Sequence, residues 1–249
     1  MILNIESLKI YKKGAMKMER ELEKIINLDE NKLLVLAGRP SMGKTSLAFN
    51  IAVNIAQREK VSVAIFSLEM SKEYIHNNII DSSLLDTHIF IDDTPGISVE
   101  NIRRKCLKLK REKNIGLVII DYLQLVSVEN KTSREQELST ISHSLKKLAE
   151  ELNIPIVATG QLSKEPDTRF KAGQDPRTKL EDFKYSAEII KDADTIMLLY
   201  RDDYYYPDSP KKNIVEVNIA KNKNGSLGTI ELVWLKEHCK FENFERYVK

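Results

Sequence analysis

Apolar positions in this chain come in two rhythms. Short runs that are apolar at almost every position, LLVLAG from Leu33, VSVAIFS from Val61, GLVIID from Gly116, IPIVATG from Ile154 and TIMLLY from Thr195, predict strands buried on both faces. Between them the apolar residues recur at helical spacing. Lys44 to Arg58 and Lys72 to Leu85 read as helices, and Ser98 reads as the N-cap of a third, whose stripe is Val99, Ile102, Cys106 and Leu109. A longer helix runs through Leu138, Ile141, Leu145, Leu148 and Leu152. A further short strand, HIFI from His88, leads into Asp93-Thr94-Pro95-Gly96, a turn signal.

Alternation of doubly buried strands with helices is what a parallel sheet covered on both faces requires. The expected fold class is therefore α/β, with a mostly parallel, doubly wound sheet and right-handed connections. The last apolar runs, NIVEVNIA from Asn213 and TIELVWL from Thr229, flank Asn224-Gly225, a hairpin signal, so the sheet is expected to end in antiparallel strands. Residues 163 to 182 are polar, are broken by Pro166, Gly173 and Pro176, and predict a long loop. Ahead of the main domain, Met18, Leu22, Ile25 and Ile26 predict a short amphipathic helix within residues 16 to 28. The expected organisation is an N-terminal segment over 1–31 and one α/β domain over 32–249.

Composition changes this picture mainly by exclusion. A chain with 42% hydrophobic and 31% charged residues is an ordinary soluble globular sequence, and no apolar run approaches the ~20 residues of a membrane span. The opening MILNIESLKIYKKG lacks the features of a secretion signal, so a cytoplasmic protein without a membrane partner is expected. Cys106 and Cys239 have no ligand or pairing spacing, which argues against a disulfide framework and against structural zinc. The net charge of +2 hides 39 basic residues balanced by 37 acidic ones, so nucleic acid would have to be bound by local loops. The most basic segment, with Arg103, Arg104, Lys105, Lys108, Lys110, Arg111 and Lys113, reads as a solvated helix face.

The chemistry concentrates where strands end. Gly38-Arg39-Pro40-Ser41-Met42-Gly43-Lys44-Thr45 matches GxxxxGK[ST] in full and lies between a predicted strand and a predicted helix, with Ser46 following. Such a loop turns backbone N–H groups and a helix N-terminus toward phosphate, while Lys44 reaches the β- and γ-phosphates of ATP and Thr45 offers a hydroxyl to Mg2+. Asp121, directly after Leu117-Val118-Ile119-Ile120, fits the second magnesium partner. Two candidates for acting on water or sensing the γ-phosphate stand at other strand ends, Glu69 and Gln161. Glu69 can take a proton, whereas Gln161 cannot and suits a sensor.

The wording of these motifs is more specific than the motifs themselves. GRPSMGKTS, FSLEMS, DDTPG, DYLQLV, GQLSK and AKNKNG occur in the order seen in the DnaB-type replicative DNA helicases, and the run from Lys32 to about Leu235 resembles that family's RecA-like motor domain. The resemblance implies a RecA-like P-loop NTPase, with Glu69 as the catalytic carboxylate, Asp121 as the magnesium-linked one and Gln161 coupling the γ-phosphate to DNA loops. It further implies a homo-oligomer, a hexameric ring acting on single-stranded DNA alongside other replication proteins. In such a ring, Lys221 and Lys223 would act in trans on a neighbour's nucleotide.

The sequence also departs from the family. Lysine stands at position 223 where arginine is usual, and it lacks the planar fork of a guanidinium. The DNA-contacting loop, usually Asp-Leu-Arg-Glu-Ser-Gly, reads Asp182-Phe183-Lys184-Tyr185-Ser186-Ala187 here, leaving Lys184, Tyr185 and Ala187 as the candidate DNA contacts. The stretch from Ser71 to His88 is shorter than the family's helical insert. The 31 residues before Lys32 are too few for the family's primase-interacting domain, although residues 16 to 28 fit its linker helix. These departures leave two readings open: a translocating helicase motor, or an ATP-binding oligomer that regulates or loads another replication factor. A small-molecule kinase would need an acceptor pocket that the sequence does not identify.

Overall fold

The computed structural model describes residues 26–28, 30–79, 88–128, 133–183, 187–236 and 239–243. Its strands are β1 (Leu33–Gly38), β2 (Ser62–Ser67), β3 (Ile89–Asp92), β4 (Ile115–Asp121), β5 (Ile156–Gln161), β6 (Thr195–Arg201), β7 (Ile214–Asn222), β8 (Gly228–Leu235) and β9 (Lys240–Asn243). They form one sheet in the order β3-β2-β4-β5-β1-β6-β7-β8-β9. Pairings from β3 to β6 are parallel, and those from β6 to β9 are antiparallel. The expected antiparallel ending is therefore present, and β9 extends it by a strand that the sequence pattern did not reveal.

Helices cover both faces, and the twofold alternation of side chains along β1 decides which residues meet which helix. Leu34 and Leu36 join Phe49, Ala52 and Ile55 of α1 (Lys44–Glu59) in one core. Leu33, Val35 and Ala37 join Ile102 and Cys106 of α3 (Val99–Lys113), and Ile141, Leu145 and Leu148 of α4 (Arg134–Leu152), in the other. The ends of α3 and α4 carry the expected signals. Ser98 accepts from the Asn101 N–H at 3.3 Å, Ser133 and Gln136 form a capping box, and Asn114 and Asn153 close α3 and α4 in the left-handed region. Truncating a fully buried residue such as Leu145 to alanine costs about 2–5 kcal/mol.

One expectation needs revision. Residues 163–182 are not a structureless loop: they contain α5 (Glu165–Lys171) and a 3-10 turn at Leu180–Asp182. Pro166 occupies the first turn of α5, where its missing N–H costs nothing, so it starts a helix there. Polar bonds order the segment. The Arg169 guanidinium donates to both oxygens of Asp182 at 2.7 and 2.9 Å and to the Asp175 and Arg177 carbonyls. Helix α2 spans Lys72–Asn78, and its expected continuation to Leu85 lies mostly outside the described residues. Of the helix expected over 16–28, only 26–28 are described, and Ile26 is buried in the α1-side core.

Two short helices, α6 (Ala187–Asp192) and α7 (Asp202–Tyr205), flank β6. What matters for the site is the order of strand ends. β2, β4, β5 and β1 are consecutive in the sheet and parallel, so the residues just past them emerge side by side along one edge.

Candidate functional site

After Gly38 the chain makes a tight reversal in which Ser41 (φ 64°) and Gly43 (φ 89°) take left-handed conformations. Glycine suits position 43 on two counts, its positive φ and the tight approach of Phe241, whose Cζ would stand 3.0 Å from a Cβ there. The reversal delivers the chain into α1, and no side chain of the N-cap residue bonds the first N–H groups of that helix. Uncapped N–H groups and the helix dipole make this end a seat for an anion.

Lys44 opens the helix and donates from Nζ to the Arg39 carbonyl at 2.9 Å. Burial pulls its ammonium down to about 8, against the opposing pull of the Asp121 and Glu69 carboxylates. The Thr45 hydroxyl lies 3.0 and 2.9 Å from the two Asp121 carboxylate oxygens, and Thr159 Oγ1 donates to Asp121 Oδ1 at 2.5 Å. Asp121 is 1% exposed, and burial pushes its carboxyl up despite those hydrogen bonds and the charge of Lys44. A deeply buried carboxylate beside a hydroxyl is a hard-oxygen donor set that suits Mg2+.

These groups line a cleft of about 320 Å³. Pro40, Ser41, Gly43, Lys44, Thr45 and Ser46 form one wall, and Glu69, Asp121, Tyr122, Gln161 and Trp234 complete it. Glu69 and Gln161 are exposed toward it. Gln161 is held by its backbone: its N–H donates to Gln124 Oε1 at 3.3 Å, and Gln124 Nε2 donates to its carbonyl at 3.1 Å. Gln124 of the DYLQLV run is thus a clamp on the end of β5.

Within the GxxxxGK[ST] motif the structure separates wall from scaffold. The Met42 side chain is fully buried in the α1-side core, and Arg39 turns its guanidinium away from the cleft to Asp167. Sequence reasoning missed Trp234 and Arg201. The Arg201 guanidinium lies 4.5 Å from the Trp234 ring centroid and donates to the Ser41 carbonyl at 3.2 Å. The available signals were one tryptophan in the chain and an arginine at the end of a buried strand, and both acquire meaning only through sheet order.

Lys221 and Lys223 are not brought to this cleft. β7 runs antiparallel to β6, and Asn222 pairs with Thr195, so both lysines sit at the opposite edge of the sheet, roughly 15–20 Å of strand away. There Lys221 Nζ donates to the Ile190 and Lys191 carbonyls at 2.6 and 3.2 Å, at the C-terminus of α6. Lys223 lies 3.8 Å from Asp194, with its side chain 68% exposed. Ala187 is the exposed first residue of α6, while Lys184 and Tyr185 lie outside the described residues. On α3, Arg103 pairs with Glu151, Lys105 with Asp92, and Lys113 lies over Phe90, while Lys108 and Arg111 are exposed.

The profile of the DnaB-like helicase C terminal domain matches residues 16–85 and 78–243. The replicative DNA helicase DnaB of Geobacillus stearothermophilus is 43% identical over 243 aligned residues, covering 86% of this chain and 53% of that protein. The chain thus spans about half the length of the curated relatives it matches. A solved DnaB-like replicative helicase, described with its interactions with primase, superposes with a TM-score of 0.80 at 36% identity, covering 91% of this chain and 62% of the other. The ATPase domain of G40P superposes with a TM-score of 0.78 at 33% identity, covering 94% and 98%. The fold is accordingly RecA-like, and no described helix is long and apolar enough to cross a membrane. The chain belongs to the DnaB-like helicase C-terminal domain family.

Proposed function

We propose that this chain is an ATP-hydrolysing motor domain that acts on single-stranded DNA in replication, as a ring of like subunits in the cytoplasm. The observation that carries the reading is the convergence of Lys44, Thr45, Glu69, Asp121 and Gln161 on one cleft from the ends of neighbouring strands. The amides from Gly43 onward and the Lys44 ammonium hold the phosphates. Thr45 and Asp121 hold Mg2+, which when bound supplies charge neutralisation to the phosphate oxygens. Glu69 takes the proton of the attacking water, and Gln161 contacts the γ-phosphate. The Trp234 ring, 8% exposed, lies under the Arg201 guanidinium and stacks with Phe241, so it serves as a rigid wall of the cleft.

Lys223 belongs to a neighbour's cleft in this reading. It is exposed and at the wrong edge for its own nucleotide, so hydrolysis depends on assembly. Lys184, Tyr185 and the backbone near Ala187 track DNA phosphates without base readout.

The chain's only tryptophan lines the cleft, which provides the test. Mg2+-ATP should change Trp234 emission saturably, and single-stranded DNA should stimulate turnover. Glu69→Gln should retain the emission change while losing about 100-fold or more in turnover. No saturable response in folded protein removes the nucleotide site. Lysine at 223 and the altered 182–187 loop favour a second reading, an ATP-binding ring that regulates or loads another factor. Nucleotide-dependent assembly without DNA-stimulated hydrolysis selects it, and directional unwinding of a forked duplex excludes it.

A further inference from the structure

Arg39 is bonded at both ends. Its carbonyl accepts the Lys44 ammonium at 2.9 Å, and its guanidinium, in a residue only 8% exposed, reaches across 128 positions of sequence to Asp167 on α5. There Nη2 meets Oδ2 at 2.5 Å and Nε meets Oδ1 at 3.3 Å, while Nη1 donates to the Leu162 carbonyl at 3.2 Å. Leu162 directly follows Gln161. One guanidinium therefore ties the start of the phosphate loop to the end of β5 and to α5.

Asp167 is held in turn. Tyr205 Oη donates to Asp167 Oδ1 at 2.9 Å, and the buried Tyr205 ring stacks on Tyr200 at 5.8 Å and packs against Phe170 at 5.2 Å. Burial alone would raise the Asp167 carboxyl, but the hydrogen bonds from Arg39 and Tyr205 outweigh it and hold the group below the usual carboxylate range. The pair is charge-assisted and two-pronged, and it fixes direction as well as distance.

We propose that Asp167 is a positioning residue for the phosphate loop: by fixing the Arg39 guanidinium, it sets the carbonyl on which Lys44 rests and the spacing between Lys44 and Gln161. The proposal rests on the nucleotide-site reading above. Asp167 lines no part of the cleft and acts only through Arg39. Loss of the anchor lets the first turn of the loop drift, and a drift near 1 Å at a reacting group costs up to ~100-fold in rate.

The experiment compares the full chain with Asp167→Ala, Asp167→Glu and Tyr205→Phe, reading Mg2+-ATP affinity from Trp234 emission, kcat and KM from DNA-stimulated turnover, and Tm without nucleotide. Asp167→Ala should lower kcat/KM roughly tenfold, with part of the loss in kcat. Asp167→Glu keeps two oxygens for the fork and should recover most of it. Tyr205→Phe removes one hydroxyl and should give a loss of about two- to threefold in the same direction. A lowered Tm in Asp167→Ala with wild-type Kd and kcat/KM would mark a purely structural anchor and overturn the proposal. Should Asp167→Ala fail to fold, wild-type kinetics in Tyr205→Phe overturn it instead. If the wild-type chain binds no nucleotide, the site reading falls and this proposal with it, whereas normal wild-type binding with unaltered variants sinks this proposal alone.

Discussion

The two edges of the parallel sheet carry different kinds of incompleteness. At the edge where β1, β2, β4 and β5 end, the chain assembles a phosphate seat, a buried carboxylate, a hydroxyl, an exposed carboxylate and an amide around one cleft. At the other edge, Lys221 is spent on the carbonyls that end α6, and Lys223 stands exposed beside the Asp194 carboxylate. In the proposed reading, a single chain therefore holds a nucleotide seat at one edge and, at the other, an exposed cation, Lys223, that would serve a neighbour's seat. The difference teaches where to look for dependence on assembly. Variants of the first edge should fail in every state of the protein, and variants of the second only where copies meet.

The largest expected effect breaks the first edge. Lys44→Ala removes the ammonium buried among the cleft's acidic groups, and turnover should fall by at least ~100-fold, with weakened nucleotide binding in any oligomeric state. Turnover retained to within a few-fold would mean that the cleft is not where ATP is hydrolysed.

An intermediate effect tests the division itself. Lys223→Ala should leave the Trp234 response to Mg2+-ATP unchanged at protein concentrations too low for assembly, while DNA-stimulated turnover of assembled protein drops by about 10- to 100-fold. Mixing it with Lys44→Ala sharpens the comparison. The first chain brings an intact cleft and the second an intact Lys223, so mixed assemblies should regain turnover that neither variant shows alone. Mixtures no more active than the sum of the two would place Lys223 outside the reaction.

The first edge was legible in sequence because its signals are local. A run of apolar residues ending in GRPSMGKT or in Asp121 marks both the strand and the functional group at its tip, and the alternation of strands and helices gives the parallel order. The pattern also places the buried faces of α3 and α4 correctly, down to Ser98 as a cap. What it misses is held by bonds between distant residues or by polar contacts. Trp234 reaches the cleft because β8 folds back beside β7, Arg39 leaves the cleft because Asp167 lies across from it, and α5 is ordered by Arg169 and Asp182 rather than by an apolar stripe. Strand β9, reading Lys-Phe-Glu-Asn with Phe241 buried, is too short and too charged to announce itself.

The smallest expected effect asks whether positive charge alone could account for the proposed DNA binding. Helix α3 is the most basic element of the chain, yet most of its cations are engaged: Arg103 by Glu151, Lys105 by Asp92, Lys110 by the Ile115 carbonyl and Lys113 by the Phe90 ring. Arg104, also exposed, donates to Asn101 Oδ1, which leaves Lys108 and Arg111 exposed on it. If they contacted phosphates, replacing both by alanine would weaken single-stranded DNA binding and flatten its dependence on salt by about two counterions. A DNA site confined to local loops predicts neither. Affinity and salt slope should stay within about twofold of wild type, and Tm should hold or rise slightly, because alanine is the stronger helix former and exposed surface charges contribute little to stability. A loss of affinity together with a shallower slope would move the proposed DNA contact from residues 184–187 to the face of α3.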